Sequence, residues 1–223
     1  MDAGSRNADE GAELVSIQDH AASAELSQRQ IDHVPGVARA TIESVSENYV
    51  DGVLSSIFWY TVGALFFQST AGAVGCLIAF KVVSTLDSMV GYKSEEYRVL
   101  GCSSARLDDV LNYIPARLSI PLISLASILI SANWVSALRI GLRDRRKHSS
   151  PNAAHAEAAM AGALNLKLGG PTYYAHGTTD KPWLGDGKTD ASTQDITAAI
   201  KIIDYSSYLA TILSLLTLLA LLN

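Results

Sequence analysis

Charged and aromatic side chains crowd into the stretch 84–117, which lies between two apolar runs. At about 100° per residue, Arg106, Asp109 and Tyr113 share one face of a predicted helix. Asp108 lies on another face. Mg²⁺ binds one or two carboxylates together with phosphate oxygens, and arginine binds phosphate in a bidentate way. The stretch therefore suits a site for phosphate and metal, but the pattern alone favours a solvated loop with ion pairs between successive helical turns.

A second set of charged residues recurs at every fourth position before the first apolar run. The set is Arg39, Glu43, Glu47 and Asp51, which form one slowly drifting stripe along a predicted helix. An exposed helical face with weak ion pairs is one interpretation. However, only Gly52 separates the stripe from apolar residues, and carboxylates that enter a membrane segment are costly unless they face water, a cation or protein. The stripe is therefore a second candidate for function.

The elements that must position these groups are apolar. Apolar residues make up 48% of the chain and charged residues only 17%, whereas soluble domains carry about 25% charged residues. Three runs are near or above the ~18 residues that indicate a membrane-spanning helix, namely Val53–Phe80, Leu118–Leu138 and Ser206–Leu222. We therefore predict an all-α fold, that of a multi-pass integral membrane helical protein, with a polar N-terminal lead at 1–30 and a membrane-embedded domain at 31–223.

Composition and motifs exclude several classes of function. The net charge is −5 and the basic residues form no stripe with interleaved aromatic residues, so we predict no nucleic-acid partner. Cys76 and Cys102 show neither metal-ligand spacing nor a disulfide framework. The phosphate-binding motifs GxxxxGKS/T and GxGxxG are absent, as are GxSxG, HExxH and CxxC, and the polar opening of the chain predicts no cleaved signal peptide. Any nucleotide chemistry must therefore use a less familiar site.

Three blocks of the sequence resemble one family, the adenosylcobinamide-phosphate synthases, or cobinamide synthases, of cobalamin biosynthesis. They are IESVSENYVDG at Ile42–Gly52, TLDSMVGYKSEEYRVLGCSSARLDDVLNYIPARL at Thr85–Leu118, and SPNAAHAEAAMAGALNLKLGGPTYY at Ser150–Tyr174. The resemblance covers roughly residues 12–222. The second block is highly specific, because TLDSM, GY, ARLDD and NYIPAR occur in order.

The resemblance implies a ligase of the cell membrane. Such enzymes join adenosylcobyric acid to aminopropanol phosphate, or to a related amino-alcohol phosphate, through an amide bond with consumption of ATP. The carboxylate must be activated, plausibly as an acyl phosphate, so the site needs Mg²⁺ ligands, cations that grip phosphate and a base. We expect the catalytic carboxylates, each a metal ligand or the base, to be Glu43, Glu47, Asp51, Asp87, Asp108 and Asp109, with Asp108 and Asp109 as Mg²⁺ ligands. We expect substrate and phosphate to be bound by Lys93, Arg106, Asn112, Tyr113, Arg117, Ser150 and Asn152.

The chain also departs from the family pattern. It has Ser84 where the family commonly has Asn, Ala154–His155–Ala156 in place of Gly-Trp-Pro, and Gln18–Asp19–His20 in place of a GRD-like motif. Members usually carry a further N-terminal portion, so a separate N-terminal partner or a homo-oligomer is an expected partner beside the corrinoid, the amino-alcohol phosphate and the lipid bilayer. The alternatives are a transporter or binding protein for a corrinoid or related ligand and an inactive membrane scaffold.

The predicted spans raise a question of topology. If each apolar run crosses the membrane once, 39–52 and 139–200 share one side and 84–117 lies on the other. The basic cluster from Arg139 to Lys147 predicts that the first two face the cytoplasm. A single ATP site cannot draw on both sides of a bilayer. We therefore expect that one run is re-entrant or that the central stretch enters a protein-lined cavity.

Overall fold

Seven helices run through the residues that this computed structural model describes, which are 36–90, 98–174, 177–179 and 181–222. The predicted lead at 1–30 and Lys93 lie outside the described residues. The helices confirm the all-α fold. They are α1 Gly36–Phe67, α2 Thr70–Val90, α3 Arg98–Leu111, α4 Tyr113–Leu129, α5 Trp134–Asp144, α6 Ala153–Leu164 and α7 Thr193–Leu222.

Helix α1 changes its hydrogen-bonding pattern part of the way along. Tyr49–Leu54 form a π-helical segment, after which Ser55–Phe67 continue as α-helix. π-helical turns are rare and frequently mark functional sites. The buried hydroxyls of Tyr49 and Ser206 lie 2.6 Å apart and hydrogen bond, which ties this segment to α7. Asp51, the carboxylate of this segment, is therefore carried on a part of α1 that is anchored to a second helix.

The first apolar run forms a hairpin, so the single span predicted over 53–80 is wrong. Gln68 adopts the left-handed conformation with a φ of 47°, which ends α1 after Phe67. Helix α2 then folds back against α1 so closely that a Cβ on Gly63 would lie 2.6 Å from the carbonyl oxygen of Gly72. Small residues allow such close helix contact. The hairpin returns the chain toward the end of α1 that carries the acidic stripe.

The second apolar run is also divided, so the single span predicted over 118–138 is wrong. Helix α4 ends at Leu129, Ser131 has a φ of 58°, and α5 begins at Trp134. The side chain of Asn133 accepts a hydrogen bond of 3.0 Å from the backbone N–H of Ser136 and so caps α5. Hydropathy alone missed this break because apolar residues continue through it.

Within the described ranges, three helices are long and apolar enough to cross a membrane, or four if the bent pair of α3 and α4 is one span. The three are α1, α2 and Thr193–Leu221 of α7, and the bent pair meets at 45°. The predicted span at 206–222 thus lies within a longer helix. These lengths and compositions agree with the predicted membrane protein.

Helix α6 lies at the centre of the fold. Every residue from Ala153 to Ala163 is buried, and most are alanine. Gly162 packs against the backbone of Ser136 so closely that a Cβ would overlap it. The helix ends at Asn165 in the left-handed conformation, whose backbone N–H caps the carbonyls of the last turn. This small-residue helix lets α5 pack against it at short range.

Four short strands follow α6 and form two antiparallel pairs. Leu168–Gly169 (β1) pairs with Trp183–Leu184 (β4), and Thr172–Tyr174 (β2) pairs with Gly177–Thr179 (β3). The side chain of Asp144, at the end of α5, accepts a hydrogen bond of 2.9 Å from the backbone N–H of Gly185. Because Gly185 directly follows β4, this hydrogen bond holds the β1–β4 pair against the end of α5.

Candidate functional site

Polar side chains from α1, α2, α3 and the loop before α6 line one cavity of about 520 Å³, which we call the main cavity. The hairpin of α1 and α2 makes this possible, because it brings residues on both arms to the same region. The lining residues are Glu47, Val50, Asp51, Asp87, Ser88, Ala105, Asp108, Asp109, Asn112, Ser150, Asn152 and Ala153. The concern that the acidic stripe and the central stretch lie on opposite sides is thereby removed.

Most of the residues that the sequence predicts for the site lie on the wall of this cavity. Five of the six predicted carboxylates are there, together with three of the predicted substrate-binding residues. The eight are Glu47, Asp51, Asp87, Asp108, Asp109, Asn112, Ser150 and Asn152. Their individual roles stay predictions.

Two asparagine amides hold the two adjacent aspartates of α3. Asn112 Nδ2 donates a hydrogen bond of 2.9 Å to Asp108 Oδ2, and Asn112 Oδ1 accepts one from the hydroxyl of Ser55. Asn152 Nδ2 donates to the backbone carbonyl of Asp109 at 2.8 Å and to its carboxylate at 3.4 Å. Each aspartate is therefore oriented by a neutral amide that leaves its negative charge in place.

Two buried acceptor atoms at this site are unsatisfied. Asp108 Oδ1 and Asn152 Oδ1 make no hydrogen bond to any described residue. Buried polar atoms normally have partners, so an unpaired acceptor indicates a missing donor or cation. Both atoms belong to residues that line the main cavity, which suits a positively charged ligand.

The carboxylates of this site can supply part of the coordination of a Mg²⁺ ion. Among the described residues, no group of three or more His, Cys, Asp or Glu side chains has the arrangement of a metal site. Mg²⁺, however, is commonly held by one or two carboxylates, with water and substrate phosphates as its other ligands. Asp108, with its free oxygen, and the neighbouring Asp109 can supply those carboxylates.

Glu43 does not reach the main cavity. Its Oε1 accepts a hydrogen bond of 2.7 Å from the backbone N–H of Gly169 and lies 3.8 Å from Arg39 Nε. The guanidinium of Arg39 also lies 5.2 Å from the ring centroid of Trp183. This first part of the acidic stripe therefore holds the loop after α6 against α1.

The predicted phosphate-binding arginines and Tyr113 lie away from the main cavity as well. Arg117 donates a hydrogen bond of 2.6 Å to the backbone carbonyl of Tyr113, and its guanidinium stacks 3.2 Å from that ring's centroid. Arg106 is exposed and lines none of the cavities in the described part of the chain. The cations that would grip phosphate must be sought elsewhere.

Sequence reasoning missed two buried titratable residues on α6. The pKa of Glu157 is raised to about 8, chiefly by burial and also by the nearby Glu43 and Glu47, against the opposing effect of Lys181. Burial lowers the pKa of His155 to about 4, with Arg117 adding to the effect. Their signal in the sequence was the presence of charged side chains in an alanine-rich helix. At neutral pH both side chains are mostly uncharged.

A second cavity, of about 260 Å³, shares Asp51, Asp87, Ser88 and Asp108 with the main cavity, and we call it the side cavity. Its other lining residues are Asn48, Gly52, Lys81, Ser84 and Thr85. Lys81 directly follows the first apolar run, and no motif in the sequence marks it as a site residue.

Comparison with known proteins gives a consistent result. The model of the CobD/CbiB protein family matches residues 18–203. The cobalamin biosynthesis protein CobD of Yersinia enterocolitica is 46% identical over 183 residues, which is 82% of this chain and 55% of that protein. The cobalamin biosynthesis protein CbiB of Salmonella typhimurium is 47% identical over 174 residues, which is 78% of this chain and 52% of that protein. This chain spans about half the length of these relatives, and no solved structure matches it.

Proposed function

This chain belongs to the CobD/CbiB protein family, and on that premise we propose that it acts in cobalamin biosynthesis as an amide-forming ligase of the cell membrane. In the proposed reaction, a carboxyl group of adenosylcobyric acid is joined to the amine of aminopropanol phosphate or a related amino-alcohol phosphate. The product is adenosylcobinamide phosphate. The names of the relatives support the pathway, and the reaction extends the resemblance described above.

The proposed chemistry divides into two transfers. The carboxylate takes the terminal phosphoryl group of ATP, and ADP leaves. The amine nitrogen then forms a bond to the acyl carbon as inorganic phosphate departs, and the nitrogen loses a proton to a base. Positioning and electrostatic stabilisation supply most of the rate enhancement in phosphoryl transfer.

The observation that carries this proposal is that five carboxylates line the main cavity together with Asn112 and Asn152, whose side-chain amides hydrogen bond to two of the aspartates. Asp108 and Asp109 are the proposed Mg²⁺ ligands. When bound, Mg²⁺ neutralises charge on phosphate oxygens. Asp51, Asp87 and Glu47 are the remaining acidic groups of the wall, and in this proposal they attract the substrate ammonium and supply the base.

The proposed setting is a multi-pass protein in the cell membrane. Helices α1, α2 and α7 are long and apolar enough to span it, and many of their large apolar side chains are exposed. Such surfaces suit lipid. The proposed partners are the corrinoid, the amino-alcohol phosphate and either a second copy or the portion that the longer relatives possess.

Transport of a corrinoid or related ligand is a second candidate function. The observation in its favour is that Asp51 and Asp87 lie on helices long and apolar enough to cross a membrane. Acidic residues at such positions also mark transport pathways. A transporter would move its ligand without consuming the amine.

Complementation separates these functions. A strain that lacks the cobinamide-forming step is fed cobyric acid and given the wild-type chain, Asp108→Asn or the exposed-site control Asp190→Asn. We expect growth with the wild type and with Asp190→Asn, and none with Asp108→Asn. The same test is repeated with a longer form that carries the remaining portion of a relative.

The purified membrane fraction provides the decisive measurement. We expect ADP and, in equal amount, a corrinoid whose mass has increased by that of the amino-alcohol phosphate less one water. If neither form supports growth or yields this product while the protein is present in the membrane, the ligase proposal is wrong. Uptake of labelled corrinoid would then support transport.

A further inference from the structure

Among the described residues, one lysine lines the main cavity or the side cavity, and it lies in the side cavity. This residue is Lys81 on α2. It makes no ion pair within 4.0 Å among the described residues, and its ammonium lies 5.7 Å from the ring centroid of Phe80. Since the predicted phosphate-binding arginines lie elsewhere, Lys81 is the cation that the described residues place on these cavity walls.

Hydroxyl groups accompany this lysine on one face of α2. Ser84, Thr85 and Ser88 follow Lys81 at three, four and seven positions, which places all four residues on one side of the helix. Ser88 donates its hydroxyl proton to the carbonyl of Ser84 at 2.9 Å, as serines in helices commonly do.

The other two hydroxyls are not used in this way. Those of Ser84 and Thr85 make no hydrogen bond to any described residue, whereas Thr61, Ser124 and Thr211 bond to carbonyls of the preceding turn in other helices. One ammonium and two hydroxyl donors are therefore available to a ligand on this wall. Phosphate oxygens accept hydrogen bonds from such donors.

The remaining wall of the side cavity is acidic. Asp51 from α1 and Asp108 from α3 line it, and Asp108 has the unpaired oxygen described above. A simple anion would leave these carboxylates without a partner, and a simple amine would leave Lys81 and the hydroxyls without one. A ligand that carries an ammonium and a phosphate a few atoms apart satisfies both walls.

We propose that the side cavity binds the amino-alcohol phosphate, with the phosphate on Lys81, Ser84 and Thr85 and the ammonium directed toward Asp51, while Asp108 remains a ligand of the proposed Mg²⁺. This inference rests on the proposed function, because it names the subsite for one of its substrates. It leaves the main cavity for the corrinoid carboxylate and ATP. The same zwitterion is also the headgroup of phosphatidylethanolamine, so the source of the ligand must be tested.

The test measures binding to the 223-residue chain in phosphatidylcholine nanodiscs by calorimetry. The probes are O-phosphoethanolamine, ethanolamine and inorganic phosphate. The variants are Lys81→Met and its control Lys201→Met, which removes an exposed lysine from α7. We expect Lys81→Met to weaken O-phosphoethanolamine binding by about 10- to 100-fold, the range of a hydrogen bond to a charged group, and to leave ethanolamine binding unchanged. Lys201→Met should bind as the wild type does.

Two further variants keep the test decisive if Lys81→Met does not fold. Lys81→Arg retains the positive charge and should bind O-phosphoethanolamine within a few-fold of the wild type. Thr85→Val keeps the shape and removes one hydroxyl, and should weaken binding of phosphorylated probes alone. Equal weakening of O-phosphoethanolamine and ethanolamine by Thr85→Val would overturn the assignment of this wall to phosphate.

The remaining outcomes separate the inference from the proposed function. If the wild type binds O-phosphoethanolamine and folded Lys81→Met binds it equally well, the subsite is wrong and the ligase proposal stands. If the wild type binds none of it, the subsite is wrong, and the ligase proposal is then decided by product formation in the membrane fraction. Nanodiscs that contain phosphatidylethanolamine should bind the probe with unchanged affinity. Competition that depends on Lys81 would instead assign the cavity to a lipid headgroup.

Discussion

The side-chain amide of Asn152 donates a hydrogen bond of 2.8 Å to the backbone carbonyl of Asp109, although 43 positions separate the two residues in the sequence. This contact joins the loop before α6 to the acidic helix α3. It orients Asp109 and directs the free Asn152 Oδ1 to the same site. The geometry of the main cavity therefore depends on a contact between two of the three family-like blocks.

Asn152→Ala should reduce the proposed amide synthesis by more than it reduces stability. The change removes the bond to Asp109 and a buried acceptor, and we expect unfolding to become easier by about 1–2 kcal/mol. Activity should fall by at least about 10-fold, because outer partners of this kind set ligand geometry. Thermal unfolding and product formation measured on the same sample test this. Loss of activity only in proportion to lost folded protein would contradict the orienting role.

Asn112→Ala should weaken divalent-cation binding without removing a charge. Asn112 holds Asp108 Oδ2 at 2.9 Å, and loss of such an outer partner typically costs about 10- to 100-fold in metal affinity. Electron paramagnetic resonance of bound Mn²⁺, used in place of Mg²⁺, measures the dissociation constant directly. Asp190→Asn, at an exposed carboxylate, is the control. Unchanged Mn²⁺ affinity in folded Asn112→Ala would remove Asp108 from the proposed metal ligands.

Glu157 should make stability depend on pH between its ordinary pKa of 4.5 and its raised pKa of about 8. Burial raises its pKa to about 8 in the folded protein, whereas an unfolded glutamate titrates near its ordinary value. Over this interval the folded state holds one more proton than the unfolded state, so stability falls as pH rises. The slope is at most about 1.4 kcal/mol per pH unit.

Glu157→Gln should abolish that slope. Its melting temperature should therefore exceed that of the wild type by more at pH 8 than at pH 6.5, while Asp190→Asn should follow the wild type. His155 adds a slope of opposite sign up to about pH 6.5, because burial lowers its folded pKa to about 4 whereas an unfolded histidine titrates at about 6.5, and this contribution is the same in wild type and Glu157→Gln. Parallel curves for wild type and Glu157→Gln would show that Glu157 is ionised in the folded protein.

Asp144→Ala should destabilise the region after α6. The buried carboxylate lies 2.8 Å from Arg143 and 2.9 Å from Lys147, and it accepts from the backbone N–H of Gly185. Although burial opposes it, the hydrogen bonds from Arg143, Gly185 and Lys147 hold the pKa of Asp144 below its usual range. Loss of one partner of a buried pair costs about 3–5 kcal/mol, and we expect about 2–3 because both cations are partly exposed.

Asp186→Asn is the matched comparison for Asp144→Ala. Asp186 also binds Arg143, at 2.6 Å, but its side chain is 53% exposed. We expect a much smaller loss of stability and normal protection of the backbone after α6. Hydrogen exchange of the peptide that contains Gly185 measures both effects. Equal exchange in the two variants would show that burial of Asp144 does not hold this region.

The sequence predicted which residues line the main cavity better than it predicted where the helices begin, turn and end. Family-like blocks and acidic spacing identified Asp51, Asp108 and Asn152, because these depend on residue type. The hairpin was missed because hydropathy is the same on both sides of Gln68, and the turn depends on one left-handed residue. Lys81 was missed because a single lysine at the end of an apolar run usually marks the end of a membrane segment. Its place in the side cavity depends on the packing of α1 and α3 beside α2, which the sequence does not reveal.

The hairpin of α1 and α2 also bears on where the reactants of the proposed reaction come from. Between Asp51 and Asp87 the chain runs out to the turn at Gln68 and back again, so both residues lie at the same end of the hairpin and line the same cavity. In the proposed membrane setting, both walls of that cavity would face the same side of the bilayer. The proposed reaction would then draw every substrate from one pool and return its product to the same pool, without opening a path through the membrane.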